Sequence, residues 1–308
     1  MEFNHYSVML KECIDGLNLK QGGSYFDGTL GGGGHSHEIL KNIGDGFLFA
    51  TDLDDDALQS TTKKLESYKN FKAVKSNFKN FLKVCDDLGV TSIDGAILDL
   101  GVSSYQLDNR ERGFSYMASD VLLDMRMDRK GGLSAYDVVN NYDEKKLRYI
   151  ISTYGEEKFA QNIAKNIVIK RNEAPIKTTG ELTQIIDKSI PYKFKRDGHP
   201  AKKTFQAIRI EVNGELDGLD TVLKDIVNKL NVGGRLAVIT FHSLEDRVVK
   251  TVFKELSSGC DCDKRYPCVC GKKEIVKEIT KKPIIASDEE LAKNSRSKSA
   301  KLRIVEKL

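Results

Sequence analysis

The stretch Asp27-Gly28-Thr29-Leu30-Gly31-Gly32-Gly33-Gly34-His35-Ser36 decides the fold of this chain. It begins within a β-forming run, Ser24 to Thr29, and ends within the start of a helical pattern at 35–42. Glycines between a strand and a helix permit positive φ angles and let a ligand approach the backbone closely. We therefore predict a strand–turn–helix unit that binds a nucleotide-type ligand at the turn.

Strands and helices continue to alternate up to residue 101. Predicted strands at 46–52, 71–76 and 93–99 alternate with predicted helices at 55–68 and 80–88. This spacing is typical of βαβ units in a doubly wound, mostly parallel sheet with helices on both faces. Ligands of such sheets bind beyond the carboxyl ends of the strands, where Asp27, Asp52, Asn77 and Asp99 fall.

The α/β pattern is interrupted between residues 117 and 204. Predicted helices there cover 136–151, 157–170 and 179–189. The α/β pattern then resumes, with predicted helices at 205–213, 216–230 and 244–256 and predicted strands at 235–241, 274–281 and 301–307. A chain of 308 residues has room for one large domain with an insertion. We predict a discontinuous α/β domain, 1–116 and 205–308, interrupted by a helical insertion domain, 117–204.

The net charge of +4 is unevenly distributed. Residues 1–150 hold 18 Lys and Arg against 23 Asp and Glu, whereas the remainder holds 31 against 22. A localised basic surface is typical of proteins that bind RNA or DNA, although a solvated lysine-rich surface remains the alternative. No apolar run approaches the roughly 18 residues that span a bilayer, and no export signal is present, so we expect a cytoplasmic protein.

The six cysteines form two groups. Cys13 and Cys85 stand alone and are interpreted as reduced core thiols. The other four lie within eleven residues, as Cys260, Cys262, Cys268 and Cys270. Four thiolates so close in sequence are able to hold a tetrahedral zinc, but the C-x-C spacing differs from the C-x₂-C of most zinc sites. A zinc site and a reduced cysteine-rich turn both stay open, and we assign no metal.

The spacing of the glycines discriminates between nucleotide-type ligands. The dinucleotide fingerprint G-x-G-x-x-G fails in every register, because its sixth position is Ser36 or His37. Asp27 before the loop and Asp52 at the end of the next strand favour S-adenosylmethionine, whose ribose hydroxyls such an acid binds. A turn without a ligand is the remaining alternative, but five nearly adjacent glycines carry an entropic cost.

Long motifs in the chain resemble those of the RsmH (MraW) family. They are Asp27 to Ser36, Leu98-Asp-Leu-Gly-Val-Ser-Ser-Tyr-Gln-Leu-Asp108, Arg112-Gly-Phe-Ser115, Leu123-Asp-Met-Arg-Met-Asp128, His199-Pro-Ala201, Thr204 to Asn213 and Phe241-His-Ser-Leu-Glu-Asp-Arg247. The resemblance extends from Asn4 to Arg303, essentially the whole chain. It implies a class I S-adenosylmethionine-dependent methyltransferase, Rossmann-like and doubly wound, that modifies N4 of a cytidine in 16S ribosomal RNA of the 30S subunit.

Carried over residue by residue, the resemblance implies a set of cofactor contacts: Gly33, Gly34, His35, Asp52, Phe78, Asp99 and Gln106. Asp52 would bind the ribose and Phe78 would lie beside the adenine, while Asp99 and Gln106 would close the pocket. For Phe78, ordinary core packing is the alternative that its sequence position alone favours.

The implied reaction needs an acceptor for the amine, because the lone pair of cytosine N4 is delocalised into the ring. The D/N-P-P-Y/F segment of many amino-group methyltransferases is replaced here by Asp99-Leu-Gly-Val102. We predict Asp99, Asn213 and His242 as catalytic candidates. Asp124 and Asp128 are further candidates, for which a structural hydrogen bond is the favoured interpretation. The chain has no H-E-x-x-H and no G-x-S-x-G motif.

We assign RNA contact mainly to the insertion. Its basic candidates are Lys193, Lys195, Arg196, Lys202 and Lys203, interleaved with the aromatic residues Tyr192 and Phe194. Such a mixture suits single-stranded RNA, since cations pair with phosphates and rings stack on bases. Lys203 stands where the family carries arginine, which keeps the charge but loses the planar fork. The basic tail, with Arg296, Lys298, Lys301 and Arg303, is a second candidate surface.

Two rival functions remain at this point. A nucleotide-cofactor oxidoreductase is disfavoured by the broken fingerprint, and an RNA-binding assembly factor would keep the fold without the activity. The sequence leaves open whether the protein forms a homodimer.

Overall fold

A computed structural model of the chain describes residues 7–103, 106, 109–195, 198–260, 262, 265, 270, 271 and 273–308. The chain divides into two compact units. The first combines Met1–Gly101 with Gly218–Leu308, and the second is Val102–Asp217.

The first unit is built on one mixed sheet. Its strands are β1 Ser24–Asp27, β2 Phe47–Asp52, β3 Phe71–Lys75, β4 Ile93–Asp99, β5 Leu230–Thr240, β6 Val276–Glu278, β7 Ile284–Ile285 and β8 Lys301–Lys307. Their order is β3-β2-β1-β4-β5-β8-β6, with β7 also paired to β8. Strands β1 to β5 pair in parallel and β8 is antiparallel to β5. The predicted doubly wound fold class is confirmed.

The chain order reverses between β1 and β4, because β1 leads outward to β2 and β3 before the chain crosses to β4. Open α/β sheets bind their ligands at such a switch point, at the carboxyl ends of the strands. Five of the seven residues of the central strand β4 are buried, as expected for a strand covered on both faces. Separate apolar clusters, one around Phe26 and Phe49 and one around Ile39 and Ile97, form the core of this unit.

Helices flank the sheet of the first unit. They are α1 Leu10–Leu17, α2 Gly34–Asn42, α3 Asp55–Lys64, α4 Phe81–Leu88, α10 Leu219–Lys229, α11 Ser243–Ser257 and α12 Asp288–Lys293. The sequence patterns do not predict α1 and α12. In the part of the chain that the structure describes, no helix combines the length and apolarity needed to cross a bilayer.

The second unit is helical. Its helices are α5 Ala135–Asn141, α6 Glu144–Thr153, α7 Ala160–Glu173, α8 Thr179–Ser189 and α9 Lys202–Asn213. They bury an apolar cluster of their own, to which Val138, Ile150, Ile163, Ile186 and Ile208 contribute. Ser134 and Thr178 begin α5 and α8 with capping boxes, in which side chains satisfy the first backbone N–H groups.

The unit boundaries differ from the predicted insertion at 117–204, since the second unit extends over 102–217. Phe114, before the predicted start, lies in the core of the second unit, and so do Phe205 and Ile208 of α9, after the predicted end. The sequence placed the boundary where periodicity changed, whereas packing decides where a unit ends. Substrate recognition by this unit stays a prediction.

Candidate active site

Three aspartates lie side by side at one edge of the sheet. Asp27 ends β1, Asp52 ends β2 and Asp99 ends β4, and these strands are neighbours in the order β2-β1-β4. The predicted strand ends therefore meet at the switch point. The glycine loop between β1 and α2 starts at this edge.

Three glycines of the loop, Gly28, Gly33 and Gly34, have room for backbone only. A Cβ on Gly28 would lie 2.2 Å from Leu98 Cδ2, and one on Gly34 would lie 1.8 Å from Ser7 Oγ. Gly33 has a φ of 71°, and a Cβ there would lie 2.3 Å from Thr61 Cγ2. Positive φ disfavours residues with a side chain, so close packing and backbone conformation both require glycine at Gly33.

Side chains from the neighbouring elements hold the loop carbonyls. Thr51 Oγ1 donates to Gly28 O at 3.0 Å, and Thr61 Oγ1 donates to Gly31 O at 2.7 Å. Sequence reasoning missed these two threonines. Burial is the feature that identifies them. Both threonines are buried, and a buried hydroxyl needs a hydrogen-bond partner.

Asp27 accepts hydrogen bonds from both ends of the loop. Its Oδ1 accepts the N–H of Thr29 at 3.0 Å, and its Oδ2 accepts the Ser36 hydroxyl at 2.7 Å. Burial raises the pKa of Asp27 to about 6, and these hydrogen bonds oppose the rise. Asp27 thus links the start of the loop to the first turn of α2.

Asp52 contacts the same loop. Its Oδ2 accepts the N–H of Gly31 at 2.8 Å and its Oδ1 accepts that of Asp54 at 2.9 Å. Burial raises the pKa of Asp52, while the backbone N–H groups oppose the rise. Each carboxylate oxygen has a second lone pair, so the contacts leave acceptor capacity for the ribose hydroxyls that the sequence assigned to Asp52.

Asp99 differs from both neighbours. No group in the described ranges donates a hydrogen bond to its buried Oδ1, and its backbone N–H donates to Thr29 Oγ1 at 2.7 Å. Burial, assisted by the charges of Asp27, Glu245 and Glu290, raises the pKa of Asp99 to about 8. Asp99 is therefore an acceptor held next to the loop, and no donor within the described chain reaches Oδ1.

The geometry suits a ligand that carries both hydroxyl groups and positive charge. Carboxylates at adjacent strand ends attract cations, and a run of glycines admits a ligand close to the backbone. S-adenosylmethionine, with a ribose, an ammonium group and a sulfonium, has this chemistry, and the unpartnered oxygen of Asp99 fits it.

His35 and Phe78 make contacts within the first unit. His35 is buried in the first turn of α2, and its Nε2 lies 3.1 Å from Val8 O. Phe78 begins a 3₁₀ turn, Phe78–Asn80, and packs against the apolar core while remaining half-buried. The contacts of these two side chains are those of structural residues. Their cofactor roles, like those of Gly33 and Gly34, stay predictions.

His242 caps helix α11. Its Nδ1 accepts the N–H of Glu245 at 3.4 Å, and the Glu245 carboxylate accepts the N–H groups of Phe241 and His242. The His242 Nε2 also lies 3.1 Å from Glu245 Oε1. The ring is therefore engaged in a capping box, which favours a structural role over the predicted catalytic one.

Asn213 is similarly engaged in the second unit. Its Oδ1 accepts the N–H of Met127 at 2.8 Å, and its Nδ2 donates to Met125 O at 2.8 Å and to Arg209 O at 2.9 Å. The amide thus joins the end of α9 to the segment 125–127. These bonds use both N–H groups, so they favour a structural role for Asn213 over the predicted catalytic one.

The other candidates of the second unit have local partners. Asp124 pairs with Arg126, whose Nε lies 2.6 Å from Oδ1, and Asp128 accepts the N–H of Lys130. Gln106 is buried and exchanges hydrogen bonds with Ser103. The structural interpretation of Asp124 and Asp128 is favoured, and the cofactor role of Gln106 stays a prediction.

The predicted RNA-binding residues begin at a 3₁₀ turn, Tyr192–Phe194. Tyr192 is 84% exposed and Phe194 54% exposed, and Lys193 Nζ lies 5.0 Å from the centre of the Phe194 ring. Lys195 pairs with Asp187 at 2.8 Å. Arg196 lies outside the described residues.

Two further predicted cations, Lys202 and Lys203, are exposed in the first turn of α9. Lys203 Nζ donates to Glu156 O at 3.2 Å. In the basic tail, Lys301 and Arg303 both pair with Asp246, and Arg303 is buried. The contacts of Arg303 favour a structural role, whereas Lys298 is exposed and Arg296 is half-buried.

Comparisons with known proteins agree with the motifs. The model of the MraW methylase family matches residues 2–308. A ribosomal RNA small subunit methyltransferase H of Clostridium botulinum (strain Kyoto / Type A2) is 56% identical over 310 residues, covering 100% of both chains. Its namesake from strain Okra / Type B1 is 57% identical over 100% of both chains. A solved rRNA methylase from Streptococcus thermophilus aligns with a TM-score of 0.40 at 13% identity, covering 97% of this chain and 92% of that chain. The chain belongs to the MraW methylase family.

Proposed function

We propose that this protein transfers a methyl group from S-adenosylmethionine to N4 of a cytidine in 16S ribosomal RNA of the small subunit. The observation that carries the proposal is the 56% identity, over the full length of both chains, to a protein named ribosomal RNA small subunit methyltransferase H. The N4 position rests on the resemblance of the motifs to the RsmH family.

The residues at the strand edge fit the donor. Asp52 keeps acceptor capacity for ribose hydroxyls. At Gly31, apart from its chain neighbours, a Cβ would meet no atom closer than Thr29 O at 3.8 Å, which leaves space there for the amino acid part of the donor. When bound, S-adenosylmethionine supplies an electrophilic methyl group on a positively charged sulfur. The carboxylates of Asp27 and Asp52 lower the free energy of such a cation, and the bound cation in turn favours the ionised form of Asp99.

Asp99 is the best candidate for the acceptor of the amine. As N4 bonded to the methyl carbon, the bond between that carbon and the donor sulfur would break and leave neutral S-adenosylhomocysteine, and N4 would pass one proton to Asp99 to remain neutral. Asp99 Oδ1 has no hydrogen-bond donor among the described residues and is free to accept an N–H. The engaged side chains of Asn213 and His242 would have to break existing hydrogen bonds to do the same. Positioning of the two reactants would supply much of the remaining rate.

The second unit would bind the RNA. The exposed rings of Tyr192 and Phe194 offer stacking faces, and Lys193, Lys202 and Lys203 offer charges for phosphates. We expect the protein to act in the cytoplasm, where ribosomal subunits are assembled. A homodimer stays a prediction.

The test is methylation of the ribosomal RNA itself. Mass spectrometry of 16S RNA from cells that lack the protein should show the loss of one N4-methylcytidine, and the purified protein should restore it on 30S subunits from those cells. Unchanged RNA in such cells would contradict the proposal. Binding of S-adenosylmethionine without transfer to either RNA or subunits would favour the assembly factor.

Thermal unfolding tests the cofactor class separately. S-adenosylhomocysteine should raise the unfolding temperature, because a ligand that binds only the folded state stabilises it. Stabilisation by NAD instead would favour the oxidoreductase.

A further inference from the structure

Three cysteine thiols converge in the segment between α11 and β6. The Sγ atoms of Cys260, Cys262 and Cys270 all lie within 4.8 Å of one another. All three side chains are at least partly exposed to solvent. The segment belongs to the first unit, and neither the proposed methyl transfer nor the proposed RNA contacts use it.

The two ends of this segment are joined independently of the cysteines. The N–H of Ile275 donates to Leu256 O at 2.9 Å, and the Ser257 hydroxyl donates to Glu278 Oε1 at 2.9 Å. We call the chain that leaves Ser257 the outgoing arm and the chain that enters Ile275 the returning arm. Cys260 lies on the outgoing arm, and Cys270 lies on the returning arm. The two hydrogen bonds hold the ends of the arms together, and the three thiols lie close to one another beyond them.

The spacing of the thiols suits a tetrahedral metal ion. A zinc–sulfur distance of about 2.3 Å places ligand sulfurs about 3.8 Å apart in a tetrahedron, which is within the observed limit of 4.8 Å. The N–H of Cys262 donates to Cys260 Sγ at 3.2 Å, a contact that stabilises the charged form of the sulfur. Thiolate ligands select zinc over magnesium or calcium.

The two remaining described thiols differ in their environment. Burial raises the pKa of Cys85 to about 11, and it raises the pKa of Cys13 well above its usual value. Metals bind the thiolate rather than the thiol, so Cys13 and Cys85 make poor ligands. The contrast provides control positions within the same chain.

We propose that Cys260, Cys262 and Cys270 bind one zinc ion, which fastens the outgoing arm of the α11–β6 segment to the returning arm. The C-x-C spacing is unusual for zinc and does not by itself assign a metal. The structure favours a metal site, since Cys270 lies beside the Cys260–Cys262 pair although seven residues separate it from Cys262. Cys268 lies outside the described residues and is not part of the proposed site.

Metal analysis of the full-length protein tests the proposal. The protein is purified under reducing conditions without a histidine tag, and zinc is measured by elemental mass spectrometry. We expect about one zinc per chain. The variant Cys260→Ser/Cys270→Ser should lose it, while Cys13→Ala should retain it. Circular dichroism of both variants checks that the fold persists.

Cobalt provides a second readout that does not depend on activity. After removal of zinc, added Co²⁺ should produce a thiolate-to-metal charge-transfer band in the protein and in Cys13→Ala, but not in the double variant. Protein that contains no zinc and gives no such band when fully reduced would overturn the proposal. So would a Cys260–Cys270 disulfide in the protein as isolated, or retention of zinc by the folded double variant.

Discussion

Asp99 combines burial with an oxygen that no described group satisfies. Leaving a buried acceptor unsatisfied costs about 1–3 kcal/mol, and folding tolerates such a cost most readily where a ligand later offsets it. Asp27 and Asp52 instead use their oxygens on the loop. At this edge, the free oxygen distinguishes Asp99, which we propose as the acceptor of the reacting amine, from Asp27 and Asp52, which hold the loop.

The raised pKa of Asp99 predicts a pH dependence of methyl transfer. An acceptor must be ionised, and a folded-state pKa of about 8 leaves Asp99 mostly protonated at neutral pH. Below that pKa, kcat/KM for RNA should rise about tenfold per pH unit and then level off. With saturating S-adenosylmethionine the plateau should begin at lower pH, since a nearby cation favours the carboxylate. Rates on 30S subunits test this expectation. They are measured between about pH 5.5 and about pH 9, a range that includes the pKa of about 8.

Asp99→Asn is the control for this pH dependence. Loss of a general base lowers turnover by roughly 10²- to 10⁴-fold, and the remaining activity should lose the pH break. Because the folded-state pKa of Asp99 is raised, its contribution to stability is present in acid and is lost as pH rises through about 8. The variant should therefore gain stability relative to wild type above that pKa and not in acid. An unchanged pH profile of turnover would remove Asp99 from the reaction.

The location of a site residue could be predicted where the local sequence pattern alone determines it. Asp52 and Asp99 end apolar strands, so their location at the sheet edge follows from strand periodicity alone. Asn213 shows the limit, because its partners Met125 and Met127 lie 88 and 86 residues away in the chain. A polar residue after an amphipathic helix offers no local signal that distinguishes a structural amide from a catalytic one.

At the scale of the element, the turn into α2 depends on Gly33. Gly33→Ala would place a Cβ 2.3 Å from Thr61 Cγ2, at a φ of 71°. Overpacking and left-handed strain together should lower the free energy of unfolding by about 3 kcal/mol. The loop must shift to accommodate the added Cβ, so we also expect weaker binding of S-adenosylhomocysteine. Calorimetry measures this affinity.

A second substitution separates the clash from the backbone strain. Thr61→Ser removes the methyl group that a Cβ at position 33 would meet, and it keeps the hydroxyl that donates to Gly31 O. In combination with Gly33→Ala it should recover roughly half of the lost stability and part of the affinity. If the double variant is no better than Gly33→Ala alone, the packing explanation for this glycine is wrong.

Helix boundaries in the second unit show what periodicity misses. The sequence predicted one helix over 136–151, but the structure has α5 and α6, separated at Tyr142 and Asp143. The Asp143 side chain accepts the N–H of Lys146 and begins α6 as an N-cap. Aspartate both caps helices and occurs within them, so apolar periodicity that continues across the break hides it.

The hydrogen bonds of Asn213 predict a stability effect at the end of α9. Asn213→Ala removes its bonds to Met125 and Met127 of the neighbouring segment and to Arg209 of α9 itself. We expect a loss of about 1–3 kcal/mol in unfolding free energy, with methyl transfer largely kept well below the unfolding temperature. Denaturant titration and initial rates on 30S subunits measure the two quantities.

Asn140 offers a matched control in the same unit. Its amide bonds both the N–H and the C=O of Ile176, at 2.9 and 2.8 Å, and we propose no role for it in the reaction. Asn140→Ala should therefore behave like Asn213→Ala. If Asn213→Ala alone abolishes transfer while its stability is unchanged, the catalytic prediction for Asn213 is right and the structural interpretation is wrong.

For the whole molecule, the uneven charge does not follow the division into two units. Residues 1–150 carry a net charge of −5 and the remainder carries +9, whereas the first unit holds 29 Lys and Arg against 28 Asp and Glu and the second unit holds 20 against 17. An acidic strand edge suits a cationic donor, whereas a polyanion is repelled by it. We therefore expect RNA to bind at the exposed cations and rings of the second unit rather than at the strand edge. The sequence revealed the interruption of the α/β pattern through periodicity, but only core packing defines the limits of the units.

The exposed lysines at the start of α9 predict a salt-dependent RNA affinity. Cations in the first turn oppose the helix dipole and cost about 0.3–1 kcal/mol each, so Lys202 and Lys203 weaken their own helix. Lys202→Ala/Lys203→Ala should therefore keep or improve thermal stability while weakening RNA binding roughly tenfold, or about 1.4 kcal/mol. Each lysine that contacts a phosphate contributes about one unit to the slope of log K against log salt concentration.

The matched control is Lys41→Ala/Lys83→Ala, since both lysines pair with acidic neighbours on the first unit. Equal affinity and salt slope in the two double variants would exclude the start of α9 from the RNA surface.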